Sequence, residues 1–278
     1  MSGVPLAFAG RVAVVTGSNK GIGFFIALQL GMSGLFQNIL LACRDEARGC
    51  EAASAMQQTV GDRAVIKYTP LTLGEHQSHI DLKNRIEQEY GKLDVLVNNA
   101  AMAFKGTDPT PFHEQTKPTL DVNYHGTVHL TEQLLPLLKK GDDPRIVNVA
   151  SMSGSLRKIT SNELRARFRS SSLTIEELNG LVDSFESDVR SGTHRSMGWG
   201  NSNYGMSKLA LIAATKVLAR ENPGVIINCC CPGSCKTDMS SQRGTRQPSE
   251  GAKNAVLPAT MDDPPTGQYF ADFQVSQW

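Results

Sequence analysis

The sequence has no surplus of either charge and no long apolar run, and each absence removes a class of function. Lys and Arg number 28 against 27 Asp and Glu, a formal net charge of +1, so no global field draws in nucleic acid or an anionic membrane. No stretch approaches the roughly 18 to 20 uninterrupted apolar residues of a membrane span. The opening "MSGVPLAFAGR" lacks a basic end followed by a long apolar segment, so no targeting signal is expected and the expected location is the cytoplasm. Zinc-protease and zinc-finger spacings are missing among the six histidines. Cysteine is sparse: Cys43, Cys50, Cys229, Cys230, Cys231 and Cys235. Three of these are consecutive in a strand-like run, where neighbours point to opposite faces and cannot converge on one ion. Buried reduced thiols and no metal are expected. With no internal repeat, low-complexity tract or linker, one domain over residues 1–278 is expected.

What is present alternates. Short β-branched runs, "RVAVVT", "NILLAC", "AVIKYT", "LDVLVNN", "RIVNVA" and "GVIINCC", are separated by helical segments, and "TGQYF" starts a last strand. Runs this apolar indicate strands buried on both faces, and helical spacers indicate right-handed crossovers. The fold class is α/β, a Rossmann-type doubly wound parallel sheet. One segment breaks the alternation: about 50 residues separate "RIVNVAS" from "NSNYGMSK" where a short loop would suffice. Here Thr174 and Glu177 have capping-box spacing, Leu178, Leu181, Val182 and Phe185 form a helical stripe, and "NELRARFRS" reads as a further short helix. A helical insertion over about 158–200 is expected, serving as a lid or pocket wall, or else as surface decoration.

The first strand runs into "TGSNKGIG", with Gly17, Gly21 and Gly23 opening a helix. Glycines there let the backbone approach a pyrophosphate at the positive end of the helix dipole. About 20 residues on, where a carboxylate would bond the ribose of NAD, stand Cys43 and Arg44. Nothing acidic repels a 2′-phosphate; Arg44 can grip it with its planar donors and Lys20 adds a second charge, so NADPH is the expected cofactor. The alternative pairs Arg44 with Asp45 at the surface. Asn98, at the end of the fourth strand, is a further candidate cofactor contact.

Ser151 follows the fifth strand, Tyr204 and Lys208 share one helix face, and Asn123 lies in the helical "LDVNYHGT". Reducing a carbonyl needs a hydride and a proton, and a tyrosine hydroxyl can donate the proton. Its reference pKa near 10 is high, and bringing it to roughly 7 takes about 4 kcal/mol, which the Lys208 charge is expected to supply. A serine hydroxyl such as Ser151 can hold the carbonyl oxygen in line.

The strings "TGSNKGIG", "NNA", "NVAS" and "YGMSK" closely resemble the motifs of the short-chain dehydrogenase/reductases from about residue 11 to the end. The segments "AFKGTDPTPFHEQ", "RFRSSSLTIEEL", "CCPG" with "KTDM" and the terminal "QW" resemble the monomeric NADPH-dependent carbonyl reductases more narrowly. The resemblance implies Tyr204 as proton donor, Ser151 as the group orienting the carbonyl, Lys208 as the residue tuning Tyr204 and holding the nicotinamide ribose, and Asn123 as anchor of a water. It implies cofactor contacts at Asn19, Lys20, Ile22, Arg44, Asn98 and the backbone from Cys231 through Pro232 to Gly233. Phe104, Lys105 and Gln115 match positions that contact a glutathione-like group.

Three positions depart from the pattern. Thr72 replaces an aspartate that bonds the adenine, Ala101 replaces a glycine, and Ser234 stands where a tryptophan walls the substrate pocket. The expected protein is a cytoplasmic, monomeric reductase of small aldehydes, ketones or quinones. The alternatives are a ketoreductase dedicated to one biosynthetic metabolite and an NADPH-binding sensor or scaffold without turnover.

Overall fold

The computed structural model describes residues 10–278, so most of the opening segment read for a targeting signal lies outside the described residues. Among these, β1 (Val12–Thr16), β2 (Asn38–Cys43), β3 (Val65–Pro70), β4 (Val95–Asn98), β5 (Arg145–Val149), β6 (Ile226–Cys231), β7 (Tyr269–Ala271) and β8 (Gln274–Ser276) form one sheet in the order β3-β2-β1-β4-β5-β6-β7-β8. Every neighbouring pair is parallel except β7 with β8. The chain order reverses between β1 and β4, which opens a crevice at the carboxyl ends of the strands. Helices α1 (Gly21–Met32), α2 (Glu46–Val60), α3 (His76–Tyr90), α4 (Phe112–Leu120), α5 (Thr127–Leu138), α6 (Asn162–Arg169), α7 (Ile175–Arg190), α8 (Asn203–Glu221) and α9 (Pro248–Thr260) surround it. This is the doubly wound fold expected.

Strand pleating divides the core. Ala13 and Val15 of β1 pack with Ile26 and Leu30 of α1 and Ala252 of α9, whereas Val12 and Val14 pack with Leu82 of α3, Leu134 of α5 and Leu218 of α8. The central strands are buried on both faces. β3 is not: as an edge strand it exposes Val65, Lys67 and Pro70 and buries Ile66 and Thr69. No helix among the described residues is long and apolar enough to cross a membrane.

The insertion forms α6 and α7. Thr174 Oγ1 accepts from the Glu177 amide at 3.1 Å, and the Glu177 carboxylate accepts from the Thr174 amide at 2.9 Å, which is the expected capping box. Leu178, Leu181, Val182 and Phe185 are completely buried and pack with Trp199 and with Met206, Leu209, Ala210 and Ala213 of α8. The helices of the insertion are packed into the core and are not surface decoration, and Lys158 and Ile159 at its start wall a separate cavity of about 300 Å³ beside α8, together with Ser153, Gly205 and Met206. The insertion covers the side of α8 turned from the crevice, and none of its residues lines the crevice.

Three histidines meet between α3 and α5. His79 is fully buried; its Nε2 lies 3.0 Å from the Leu73 carbonyl and its Nδ1 lies 2.7 Å from His129 Nδ1, while the His76 ring stacks on His129 at 3.8 Å. A carbonyl only accepts, so Nε2 carries the proton of His79 and His129 donates to the bare Nδ1. Burial first, then the neighbouring His129, lower the His79 pKa to about 4. An unfolded histidine takes a proton near pH 6.5, so the stability of the neutral form is complete above that value and is lost as pH falls toward 4. Between about pH 7 and about pH 5 the unfolding free energy is expected to drop by about 2 kcal/mol through His79. Urea titrations at the two pH values should show a drop that includes this amount, His125 and His129 being lowered by burial as well, and His79→Gln should reduce it by about 2 kcal/mol; an equal drop in the variant would assign the pH dependence elsewhere.

Candidate active site

At the carboxyl ends of the strands lies a cleft of about 740 Å³. Gly17, Asn19, Lys20, Gly21, Ile22 and Gly23 line one part of it, at the start of α1. A Cβ on Gly23 would lie 2.5 Å from the Gly17 carbonyl and 2.4 Å from Asn99 Nδ2, so this turn closes only around glycine. The first amides of α1 lie beside the cleft, where Gly21 and Gly23 carry no side chain.

Arg44 follows β2, is exposed, and lines the cleft together with Cys43 and Thr72. The Asp45 carboxylate is engaged by Arg48 instead, with contacts of 2.7 to 2.9 Å to its guanidinium and amide, so Arg44 is not tied up in the surface pair weighed above. Lys20 departs from expectation: its Nζ lies 2.6 Å from Asp238, joining the glycine turn to the loop after β6. The Asp238 carboxyl is held below its ordinary range, by Lys20 above all.

Asn98 is corrected. Strand parity turns it away from the cleft: it is buried, and its Nδ2 donates to Asn148 Oδ1 at 2.8 Å and Thr131 Oγ1 at 3.0 Å. Asn99 faces the cleft, with Nδ2 donating to the Thr16 carbonyl at 2.9 Å and the Gly17 carbonyl at 3.2 Å. Pro232 lines the cleft, Cys231 lies behind it, and Gly233 is a half-buried turn residue with φ +80°. Phe104, Lys105, Gln115 and Ser234 stand outside its lining: Gln115 Nε2 donates to the Thr110 carbonyl at 2.7 Å, and Ser234 is exposed with its carbonyl accepting from Thr245 and Arg246. Thr237, Asp238, Met239 and Gln242, beyond the reach of the strand pattern, line it instead. The only sequence signal for Thr237, Asp238 and Met239 was the "KTDM" string that follows β6, and Gln242 had none.

The chemical groups converge from two elements. Ser202 caps α8, its hydroxyl accepting from the Gly205 amide at 2.9 Å, and Tyr204 and Lys208 then share the face turned to the cleft. The turn after β5 packs against this helix because both partners carry glycine. A Cβ on Gly205 would meet the Ser153 carbonyl at 2.8 Å, and one on Gly154 the Leu209 amide at 2.6 Å. Ser151 Oγ accepts from the Ser153 amide at 3.0 Å and stands beside the Tyr204 phenol, outside the residues that line the cleft. Asn123 lies in a π-helical turn over Asp121–Gly126, with Nδ2 donating to the Met102 carbonyl at 2.8 Å and to Ser207 Oγ at 3.1 Å.

Burial, then the nearby Cys231, push the Tyr204 pKa up to about 12, and the Ser151 hydroxyl opposes them. Lys208 is 2 % exposed, and burial lowers it to about 8. Its Nζ donates to the Val149 carbonyl at 2.8 Å and lies 5.7 Å from the centre of the Tyr204 ring. The expectation that Lys208 brings the phenol toward neutrality is therefore not met here: the cation is spaced from the ring and held by a carbonyl, and desolvation of the phenolate prevails.

Among the described residues no group of three or more His, Cys, Asp or Glu side chains is arranged to hold a metal ion. All six cysteines are free, and all but Cys50 are buried.

Comparison with known proteins agrees with this geometry. The family model described as short chain dehydrogenase matches residues 11–162. The chain is similar to carbonyl reductase (NADPH) 1 of Rattus norvegicus, 40% identical over 278 residues and covering 96% of this chain and 98% of the relative. It is likewise similar to carbonyl reductase (NADPH) 1 of Homo sapiens, 39% identical over 279 residues, with 96% and 98% covered. Among solved structures, salutaridine reductase from Papaver somniferum superposes with a TM-score of 0.85 at 32% identity, covering 94% of this chain and 99% of that one. Menthone neomenthol reductase from Mentha piperita gives a TM-score of 0.77 at 30% identity, with 94% and 98% covered.

Proposed function

The chain belongs to the short-chain dehydrogenase family, and on that premise we propose that it is an NADPH-dependent oxidoreductase reducing aldehydes, ketones or quinones to alcohols. The observation that carries this reading is one continuous cleft lined by a glycine cradle, Arg44, Tyr204 and Lys208, with Ser151 beside the phenol. The cradle fits a dinucleotide: Gly17, Gly21 and Gly23 carry no side chain at the start of α1, and the neighbouring Asp45 carboxylate is bound to Arg48.

NADPH, when bound, supplies the hydride. Tyr204 gives its proton to the oxygen of the carbonyl as that oxygen becomes an alkoxide. With a pKa near 12 the phenol is fully protonated at neutral pH, the form that donation requires. Ser151, whose oxygen already accepts from the Ser153 amide, directs its own hydrogen toward the carbonyl oxygen and holds it in line. Lys208 places a cation beside the site and toward the nicotinamide ribose, while Asn123 ties the cleft wall at Met102 to α8 through Ser207.

The protein works as a single-domain cytoplasmic monomer; its monomeric state is supported by α7 and Trp199 covering the outer face of α8 that would otherwise be free for pairing, and light scattering giving the mass of one chain supports it whereas a dimer mass contradicts it. The substrate enters beside Met102 and Met239. Following NADPH oxidation against a panel of quinones, aldehydes and ketones tests the function. Turnover with at least one class supports it, and saturable NADPH binding without turnover leaves the sensor or scaffold.

A further inference from the structure

Tyr204 is the second residue of its helix, and some fifty residues separate it from Ser151, which follows β5. A segment that long does not fix where α8 begins, and the proton donor sits where the placement is most sensitive. Side chains fix it instead. Asn203, the first residue of α8, is 5% exposed. Its Nδ2 donates to the Phe112 carbonyl at 2.9 Å, and its Oδ1 accepts from Thr116 Oγ1 at 2.9 Å. Thr116 also lies within 3.1 Å of the Phe112 carbonyl, but it has one proton, and the Asn203 amide already serves that carbonyl. The three groups close a ring between the first turns of α4 and α8.

A second contact reinforces the first. The Phe112 ring stacks on His194 at 5.4 Å, and His194 Nε2 lies 2.9 Å from Asn201 Oδ1, two residues before Asn203. The strand of chain leading into α8 is therefore held on α4 at both Asn201 and Asn203. The helix α4 in turn closes the loop that descends from the cleft wall at Met102.

We propose that Asn203 is a positioning residue for Tyr204: by clamping the first turn of α8 to Phe112 and Thr116 of α4, it sets the phenol at the height in the cleft where it meets Ser151. This rests on Tyr204 being the proton donor. Asn203 touches neither the cofactor cleft nor the phenol, so its contribution appears in the chemical step and not in ground-state binding.

Asn203→Ala is expected to lower kcat roughly 10-fold, with KM for the carbonyl and Kd for NADPH within about 2-fold of the parent, because misplacement of a reacting group taxes the rate and leaves binding intact. Thr116→Val keeps the volume and removes the hydroxyl, and should lower kcat roughly 3-fold; the double variant should be no slower than Asn203→Ala alone, since both act through one ring. Tyr204→Phe is measured beside them. Wild-type turnover in Tyr204→Phe would remove the proton-donor reading and the proposal with it. An inactive Tyr204→Phe beside unchanged kcat in both Asn203→Ala and Thr116→Val would overturn the positioning role alone. A parallel fall of kcat and NADPH affinity in Thr116→Val would also overturn it, by reducing the ring to fold maintenance.

Discussion

Tyr204→Phe is expected to lower kcat for carbonyl reduction by about 10³-fold while leaving the Kd for NADPH within about 2-fold of the parent. The substitution removes one oxygen and keeps the ring, so the packing of α8 is preserved. Lys208 remains anchored on the Val149 carbonyl and Ser151 on the Ser153 amide. What disappears is the proton. Water is not oriented by the ring that remains, so it replaces the phenol poorly. Steady-state kinetics with a fluorescence titration of NADPH separates the two parameters. A loss below about 10-fold would place the proton elsewhere.

Arg44→Ala is expected to weaken NADPH binding by about 30-fold and to leave NADH nearly unchanged, collapsing the preference between them. A charge-assisted hydrogen bond to an anion contributes about 2 kcal/mol, and a planar guanidinium can supply two at once. Arg44 is exposed at the rim of the cleft, and the neighbouring Asp45 is occupied by Arg48, so neither burial nor a competing carboxylate offsets that contribution. Lys20 cannot take its place without leaving Asp238. Dissociation constants for both dinucleotides on both proteins provide the check. An unchanged ratio would assign the phosphate to another cation lining the cleft, such as Lys20 or Lys236.

The parts of the site that sequence revealed are those governed by local rules. Glycines between a strand and a helix announce a phosphate cradle, and a four-residue spacing puts Tyr204 and Lys208 on one face. The capping box at Thr174 is similarly local, and it formed as the spacing required. Features that depend on what lies opposite were not legible. Asn98 and Asn99 are indistinguishable in a string, and only the parity of β4 turns one into the sheet and the other toward the glycine turn. The insertion advertised its apolar stripe but not the surface that receives it, which is the back of α8. β8 was missed for a different reason. Its turn has positive φ at Asp272 and Phe273, where glycine or asparagine is the usual signal. Tertiary partners hold that turn: Arg246 bonds Asp272 at 2.8 Å, and Asn254 accepts from the Phe273 amide at 2.9 Å. The electrostatics of Tyr204 followed the same logic, since spacing supplied the lysine while burial decided the direction of the shift.

The central claim is that a hydride from the dinucleotide and a proton from Tyr204 meet on one carbonyl. Mass spectrometry of the product formed with NADPH deuterated at its transferable hydrogen tests this most directly, using a carbonyl that the panel identifies as turned over. The account predicts an alcohol with deuterium on the former carbonyl carbon, formed by the wild type and virtually absent with Tyr204→Phe. Unlabelled alcohol, or labelled alcohol formed equally fast by the variant, would contradict it.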